Sequence, residues 1–269
     1  MSARLRPTRQ SHETREAAIT ARNALIGGGS AGIGFAIAAR LAPTHRTVIA
    51  GRTAGSLEQA AARLLEQTGT AVETLAADLS APHDDALAAA AECDVLVLNA
   101  GGPPPGRILD VGDDAWRHGL GLLLLGPLAL CRNALPAMAR RGFGRVVFVT
   151  STAVRQPQPD LAVSVVVRSA VTAAAKLLSR EYAADGVTVN CVAPGPTDTA
   201  RRREILEARS ARAGRPIGDV LGEDLAAVPA GRAADPDEIA AAVEFLVSPA
   251  AGYVNGTVLT VDGGRTEMV

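Results

Sequence analysis

Ser164, Arg168 and Ser169 are the only strongly polar side chains in LAVSVVVRSAV, residues 161–171. On a helix, residues four apart share a face, so Ser164 and Arg168 stack roughly 6 Å apart along the axis. A hydroxyl there can position a carbonyl or a water, and a guanidinium can stabilise developing negative charge. Neither is a ready proton donor. Guanidinium does not deprotonate in proteins, and an aliphatic hydroxyl starts near the value of water, roughly 15.7. The alternative is a helix with one solvated edge, and the local sequence does not decide between the two.

A second set of residues suits a dinucleotide. GGGSAGIG, residues 27–34, follows a short apolar run and opens a helical pattern. Glycines there permit a tight turn and close approach to a pyrophosphate, with the helix N-terminus aimed at the anion. The expected cofactor residues in this turn are Gly28, Ser30, Gly32, Ile33 and Gly34. The next strand ends in AGRT, residues 50–53. NAD readers place an acidic residue at that point. Here Gly51 leaves space and Arg52 offers a guanidinium that can hold a 2′-phosphate bidentately, so NADP is expected over NAD. Asp78, followed by Leu79, can accept from an adenine amino group or simply cap the next helix. Asn99 and Gly101, in NAG, end the fourth strand beside the expected adenosine.

These residues need a scaffold. The 269-residue chain is 48% apolar with a net charge of −1, enough for one large folded domain and without the basic excess that nucleic acid calls for. Strand-like runs at 23–28, 47–51, 71–77, 94–102, 145–151, 186–195 and 256–264 alternate with helical patterns at 30–42, 56–69, 84–92, about 113–140, 163–184 and 235–248. Continuous apolar strands separated by helices predict a parallel sheet covered on both faces. The expected fold is α/β: a single Rossmann-type doubly wound domain with a seven-stranded parallel sheet over 21–269. Residues 197–232 read as polar, Arg-rich and less regular, and residues 1–20 as a flexible N-terminal extension. No unbroken apolar run reaches the ~18 residues of a membrane span, so no membrane partner is expected. Cys93, Cys131 and Cys191 are widely spaced, which fits buried thiols in a reducing compartment and no metal site. Cytoplasmic localisation follows as the expectation.

Together GGGSAGIG, ADLS, NAG, GVTVNCVAPG and GRAADPDEIAAAVEFLVSPAAGYVNGTVLTVDGG resemble the short-chain dehydrogenase/reductase superfamily over about residues 21–264. The last stretch is similar to the closing segment of β-ketoacyl-acyl-carrier-protein reductases. The resemblance implies a homotetramer or homodimer built on the two long helices. It makes Gly28, Gly32 and Gly34 the pyrophosphate-turn positions, with Gly27 where Thr is usual. It also sets Pro194, Gly195 and Thr199 against the nicotinamide carboxamide. The family works through Asn, Ser, Tyr and Lys. Counted from Trp116, the Asn position falls on Leu123. Ser151 matches the Ser that holds the substrate carbonyl, the Tyr position is Ser164 and the Lys position is Arg168. The spacing from Arg168 to Asn190 pins that register. The expected catalytic set is therefore Ser151, Ser164 and Arg168, with Arg168 also near the nicotinamide ribose.

A serine hydroxyl in place of a phenol loses some 5–6 pKa units, about 7–8 kcal/mol against proton release. The usual proton relay should be absent, which leaves three possibilities. The protein is an NADP-dependent oxidoreductase on a carbonyl or alcohol with an atypical proton path, a non-redox cyclase, dehydratase or isomerase, or a nucleotide-binding protein without turnover. His118 reads as a surface histidine or a base, Asp160 as a solvated loop carboxylate or a substrate contact, and Thr152 as a spare hydroxyl. The arginines at 201, 202, 203, 209, 212 and 215 form either a solvated lid or a site for an anionic or acyl-carrier-linked small-molecule substrate.

Overall fold

The computed structural model describes residues 21–268; the extension expected over 1–20 lies outside them. Seven strands form one parallel sheet: β1 (Arg22–Gly27), β2 (His45–Gly51), β3 (Glu73–Ala76), β4 (Val95–Leu98), β5 (Gly144–Val149), β6 (Val187–Pro194) and β7 (Val258–Val261). Their spatial order is β3-β2-β1-β4-β5-β6-β7. The order reverses between β1 and β4, so their carboxyl ends border the crevice where such sheets bind ligands. The helices α1 (Gly32–Leu41), α2 (Ala54–Thr68) and α9 (Pro236–Val247) cover one face. The other face carries α3 (Asp84–Glu92), α5 (Gly126–Arg141) and α6 (Ala162–Glu181).

The strands are apolar because both faces are covered. All six residues of β5 and all eight of β6 are buried. Ile26, Ile49, Val97, Val147 and Val192 point to the α1/α9 side, while Leu25, Leu96, Val146, Phe148 and Val189 point to the α5/α6 side. This is the period-two alternation of a strand with apolar residues on both faces. Cys93, Cys131 and Cys191 are buried free thiols, each pushed well up by burial.

Two expectations are corrected. The helix expected across 113–140 is α4 (Asp113–Leu120), a π-helical turn (Gly121–Leu125) and then α5. Pro127 has no N–H for the ordinary ladder, and Gly126 N–H reaches back five residues to Gly121 O. Gly126 also lies against Leu79 O so closely that no Cβ would fit. The segment 197–232 is more regular than its composition suggests. It contains α7 (Ala200–Ala213) and α8 (Ile217–Ala226), started by the Thr199 cap on Arg202 N–H and broken between them by Gly214 at φ +62°. Both α4–α5 and α6 are long and apolar enough by length and composition alone to cross a membrane, but they pack on the sheet.

Candidate active site

The carboxyl ends of β1, β2, β4, β5 and β6 open onto a cavity of about 500 Å³, within the usual range for small-molecule sites. Fifteen of the sixteen residues expected at the site line it: Gly28, Ser30, Gly32, Ile33, Arg52, Asp78, Leu79, Asn99, Gly101, Ser151, Ser164, Arg168, Pro194, Gly195 and Thr199. Gly34 does not. A Cβ there would lie 2.2 Å from Gly28 O, so Gly34 lets α1 press against the turn rather than touch a ligand.

At the cofactor end, Gly28 sits at φ +62°, a conformation open to glycine. Asn99 Nδ2 donates to Gly27 O at 3.1 Å and ties β4 to the turn. Residue 27 has no room for a larger side chain: a Cβ would be 2.8 Å from Asn99 O. Arg52 is exposed and has no carboxylate partner among the described residues. Asp78 accepts from Ser80 N–H at 2.9 Å and Ser80 Oγ at 2.7 Å, which together hold its carboxyl below the usual range. These bonds close a local turn; α3 begins later, with His83 at its N-cap, so the helix-cap reading of Asp78 is corrected. The glycine cradle, the α1 N-terminus and the unpaired Arg52 fit a phosphorylated dinucleotide.

At the catalytic end, β5 ends at Val149, and Ser151 caps a short 3-10 turn, accepting from Ala153 N–H at 3.2 Å. Helix α6 carries Ser164 and Arg168, each only 9% exposed. The solvated-edge reading of this helix is therefore ruled out. Arg168 Nε donates to Ser164 Oγ at 3.2 Å and Nη1 to Val149 O at 2.6 Å. No carboxylate lies within ion-pair distance of Arg168 among the described residues. Burial, and then the nearby charge of Arg201, push its guanidinium down to about 10, so it remains a cation at neutral pH. Leu123 lies in the π-helical turn and packs against Val163 and Val167 on α6.

No other tyrosine or lysine fills the gap. The chain's tyrosines are Tyr182 and Tyr253 and its lysine is Lys176. Tyr182 packs beneath the sheet, Tyr253 is exposed and Lys176 Nζ donates to Gly256 O at 3.1 Å. None lines the cavity. His118 is exposed at the cavity wall. Thr152 is buried and also lines the cavity.

Arg201, Arg202 and Arg209 of the arginine-rich segment are bonded at the cavity, which corrects the solvated-lid reading for them, while Arg203, Arg212 and Arg215 are exposed. Asp224 on α8, 8% exposed, accepts from Arg202 Nη2 at 3.0 Å and Arg265 Nη1 at 3.1 Å, with Arg209 Nη1 at 3.5 Å. Asp160 is likewise not a solvated carboxylate. Arg209 Nε meets it at 2.7 Å, and Gln158 Oε1 accepts from Arg209 Nη2 at 2.6 Å. Burial pushes the Asp160 carboxyl up, but Arg209 and Arg212 outweigh this and hold it below its usual range. The sequence reading missed Asp224 and Arg265. Asp224 was detectable only as an acidic residue beside an arginine excess. Nothing local marks Arg265, because its partner lies 41 residues away.

Comparison with known proteins agrees with this geometry. A family model described as enoyl-(acyl carrier protein) reductase matches residues 28–266. The chain is 33% identical to the 3-oxoacyl-acyl-carrier-protein reductase FabG of Vibrio harveyi, over 90% of this chain and 96% of that protein. It is 35% identical to the cis-4-hydroxycyclohexanecarboxylate dehydrogenase of Sinomonas cyclohexanicum, over 93% of this chain and 98% of that protein. Among solved structures, an actinorhodin polyketide ketoreductase variant with NADPH aligns at TM-score 0.88 and 29% identity, covering 94% of this chain and all of that one.

Proposed function

Because the chain belongs to the short-chain dehydrogenase/reductase superfamily, we propose that it is an NADP-dependent oxidoreductase acting on the carbonyl or alcohol of a small molecule. Its active site is atypical: Ser164 and Arg168 stand where a phenol and an amine are usual. Arg52 would take the 2′-phosphate, and the Gly28–Gly32 turn with the α1 N-terminus the pyrophosphate. Pro194, Gly195 and Thr199 border the nicotinamide end. The NADPH in the ketoreductase structure supports this choice of cofactor.

The observation that carries the reading is the Arg168–Ser164 hydrogen bond. Because Ser164 Oγ accepts from Arg168, its own hydroxyl hydrogen is free to donate to a substrate oxygen. Ser151 is in the same position, its Oγ accepting from Ala153 N–H. Two hydroxyl donors backed by a fixed cation stabilise the negative charge that builds on a carbonyl oxygen as hydride arrives. The bound nicotinamide supplies that hydride. Neither serine releases its proton at neutral pH, so the product oxygen takes a proton from water. The chain's residues polarise and orient, and solvent completes the reaction.

The missing acid also favours a second reading, non-redox chemistry (cyclisation, dehydration or isomerisation) or cofactor binding without turnover on the same fold. One experiment separates them. NADPH and NADH binding is followed by cofactor fluorescence, then NADPH consumption is followed with a panel of ketones, oxo acids and β-ketoacyl thioesters. The proposal requires preferential NADPH binding and consumption with at least one carbonyl. Binding without consumption, on a compound the protein is seen to convert, favours the non-redox reading. We further propose a cytoplasmic homodimer or homotetramer joined through α5 and α6.

A further inference from the structure

We infer that the substrate carries a free carboxylate beside its reacting carbonyl, held between Arg168 and Arg201. This rests on the oxidoreductase reading above and names its substrate class, a short oxo acid or the matching hydroxy acid.

The argument begins with charge. The cavity lining includes Arg52, Arg168, Arg201, Arg202, Arg209 and Arg265 against only Asp78 and Asp224. Arg52 and Asp78 belong to the cofactor end. In the remainder, Asp224 engages Arg202, Arg209 and Arg265. Arg209 is also held by Asp160. Arg168 and Arg201 stand outside this network.

Arg168 is a buried cation bonded only to neutral acceptors, Ser164 Oγ and Val149 O. Its Nη2 has no acceptor among the described residues. Arg201 lies over Gly102 at the end of β4, its Nε and Nη2 3.1 Å from where a Cβ would stand. It donates to Pro103 O and pairs with Glu204, which is largely exposed. Both guanidiniums line the same cavity, Arg168 against the end of β5 and Arg201 beyond the end of β4, the neighbouring strand. Burying the Arg168 cation without an anion is costly, and Arg201, whose carboxylate partner Glu204 is largely exposed, offers a second guanidinium at the same cavity.

The cofactor is poorly placed to be that anion. Its pyrophosphate belongs at the β1–α1 turn, and β5 lies two strands away in the sheet order, about 10 Å at the usual strand spacing. Its 2′-phosphate belongs farther still, at β2, and the nicotinamide ribose is uncharged. The substrate remains. A carbonyl oxygen on Ser151 and Ser164 puts the adjoining carbon one helical turn from Arg168, where a carboxylate can bind two guanidiniums in the fork geometry they favour. A neutral thioester would leave the buried Arg168 charge without an anion. In the reductive direction, hydride adds to the carbonyl carbon and the C=O π pair moves to oxygen. Water supplies the proton, giving the hydroxy acid and NADP⁺.

The test is calorimetric titration of the NADP⁺-loaded protein with pyruvate against methyl pyruvate, and acetoacetate against ethyl acetoacetate. At least one acid should bind tenfold or more tightly than its ester. Arg201→Gln should erase that preference, and Arg168→Lys, which keeps the charge, should retain it. Circular dichroism of each variant serves as the check on folding. Equal or tighter ester binding, or no binding by either acid, overturns the carboxylate assignment while leaving the oxidoreductase reading intact. Failure of the wild-type protein to bind NADP⁺ would instead sink the oxidoreductase reading itself.

Discussion

At the scale of residues, the proposed departure from the family's catalytic set rests on Ser164 and Arg168, one helical turn apart, with Leu123 packed against the same helix. On that reading Arg168 would keep the charge of an amine but pass no proton, and Ser164 would keep a hydroxyl but not a phenol's acidity. Restoring both, as Ser164→Tyr with Arg168→Lys, should raise reduction of simple ketones about tenfold or more if proton delivery is what is missing, since each tenfold is about 1.4 kcal/mol of barrier. Steady-state NADPH consumption reads this out, and an unchanged rate would argue against the account. At the other end of the cavity, Arg52→Asp should shift the NADPH/NADH binding ratio toward NADH by tenfold or more, because it replaces the phosphate's counter-charge with repulsion. Fluorescence titration measures that ratio. These positions were legible in the sequence because their spacing along single segments is fixed: 28 to 34 within one turn and helix, 164 to 168 on one helix face. The burial of Arg168 was not legible. A guanidinium in an apolar run reads equally well as solvated, and only the packing of α6 on β5 decides it.

At the scale of elements, two devices hold the site. Gly34 lets α1 press against Gly28 O, so Gly34→Ala, with a Cβ 2.2 Å from that oxygen, should push the helix off the turn. NADPH affinity should fall at least tenfold while the apo fold persists by circular dichroism. The roof of α7 and α8 is held by Asp224. Asp224→Asn leaves three guanidiniums sharing one neutral amide, and breaking a buried ion pair from one side costs about 3–5 kcal/mol. Limited proteolysis should then cut within 200–226 faster than in the wild type. Acid should act similarly through Asp160. Its folded carboxyl lies below the ordinary value of about 3.9. Its stabilising contribution is thus complete above that value and lost as pH falls through the lower folded one. Proteolysis of the roof should stay slow at about pH 5 and quicken below about pH 4. The sequence concealed this element because α7 is polar nearly all round, with Leu206 its one buried residue. Such helices are held by ion pairs across the fold rather than by an apolar stripe, and partners 22 and 41 residues distant leave no local pattern.

At the scale of the whole molecule, the seven-stranded parallel sheet and the single domain were legible as alternating apolar strands and helices, since a parallel sheet covered on both faces imposes that pattern, whereas the order of the strands was not read from the sequence. The assembly is the prediction that belongs here. Leu125 and Leu177, at 60% and 62% exposure, and Val166 leave apolar side chains uncovered along α5, its approach and α6. Light scattering after size exclusion should give a dimer or tetramer, and Leu177→Glu should lower its order. A monomeric wild type would contradict the proposed assembly.

The proton path is the central claim, and the pH dependence of kcat/KM for NADPH-linked carbonyl reduction tests it most directly. Arg168 stays a cation across the accessible range, and the two serines do not ionise there. The profile should therefore be flat from about pH 7.5 to about pH 9. A single ionisation governing the rate between about pH 7.5 and about pH 9 would mean that a titrating acid does the work here, and the account would be wrong.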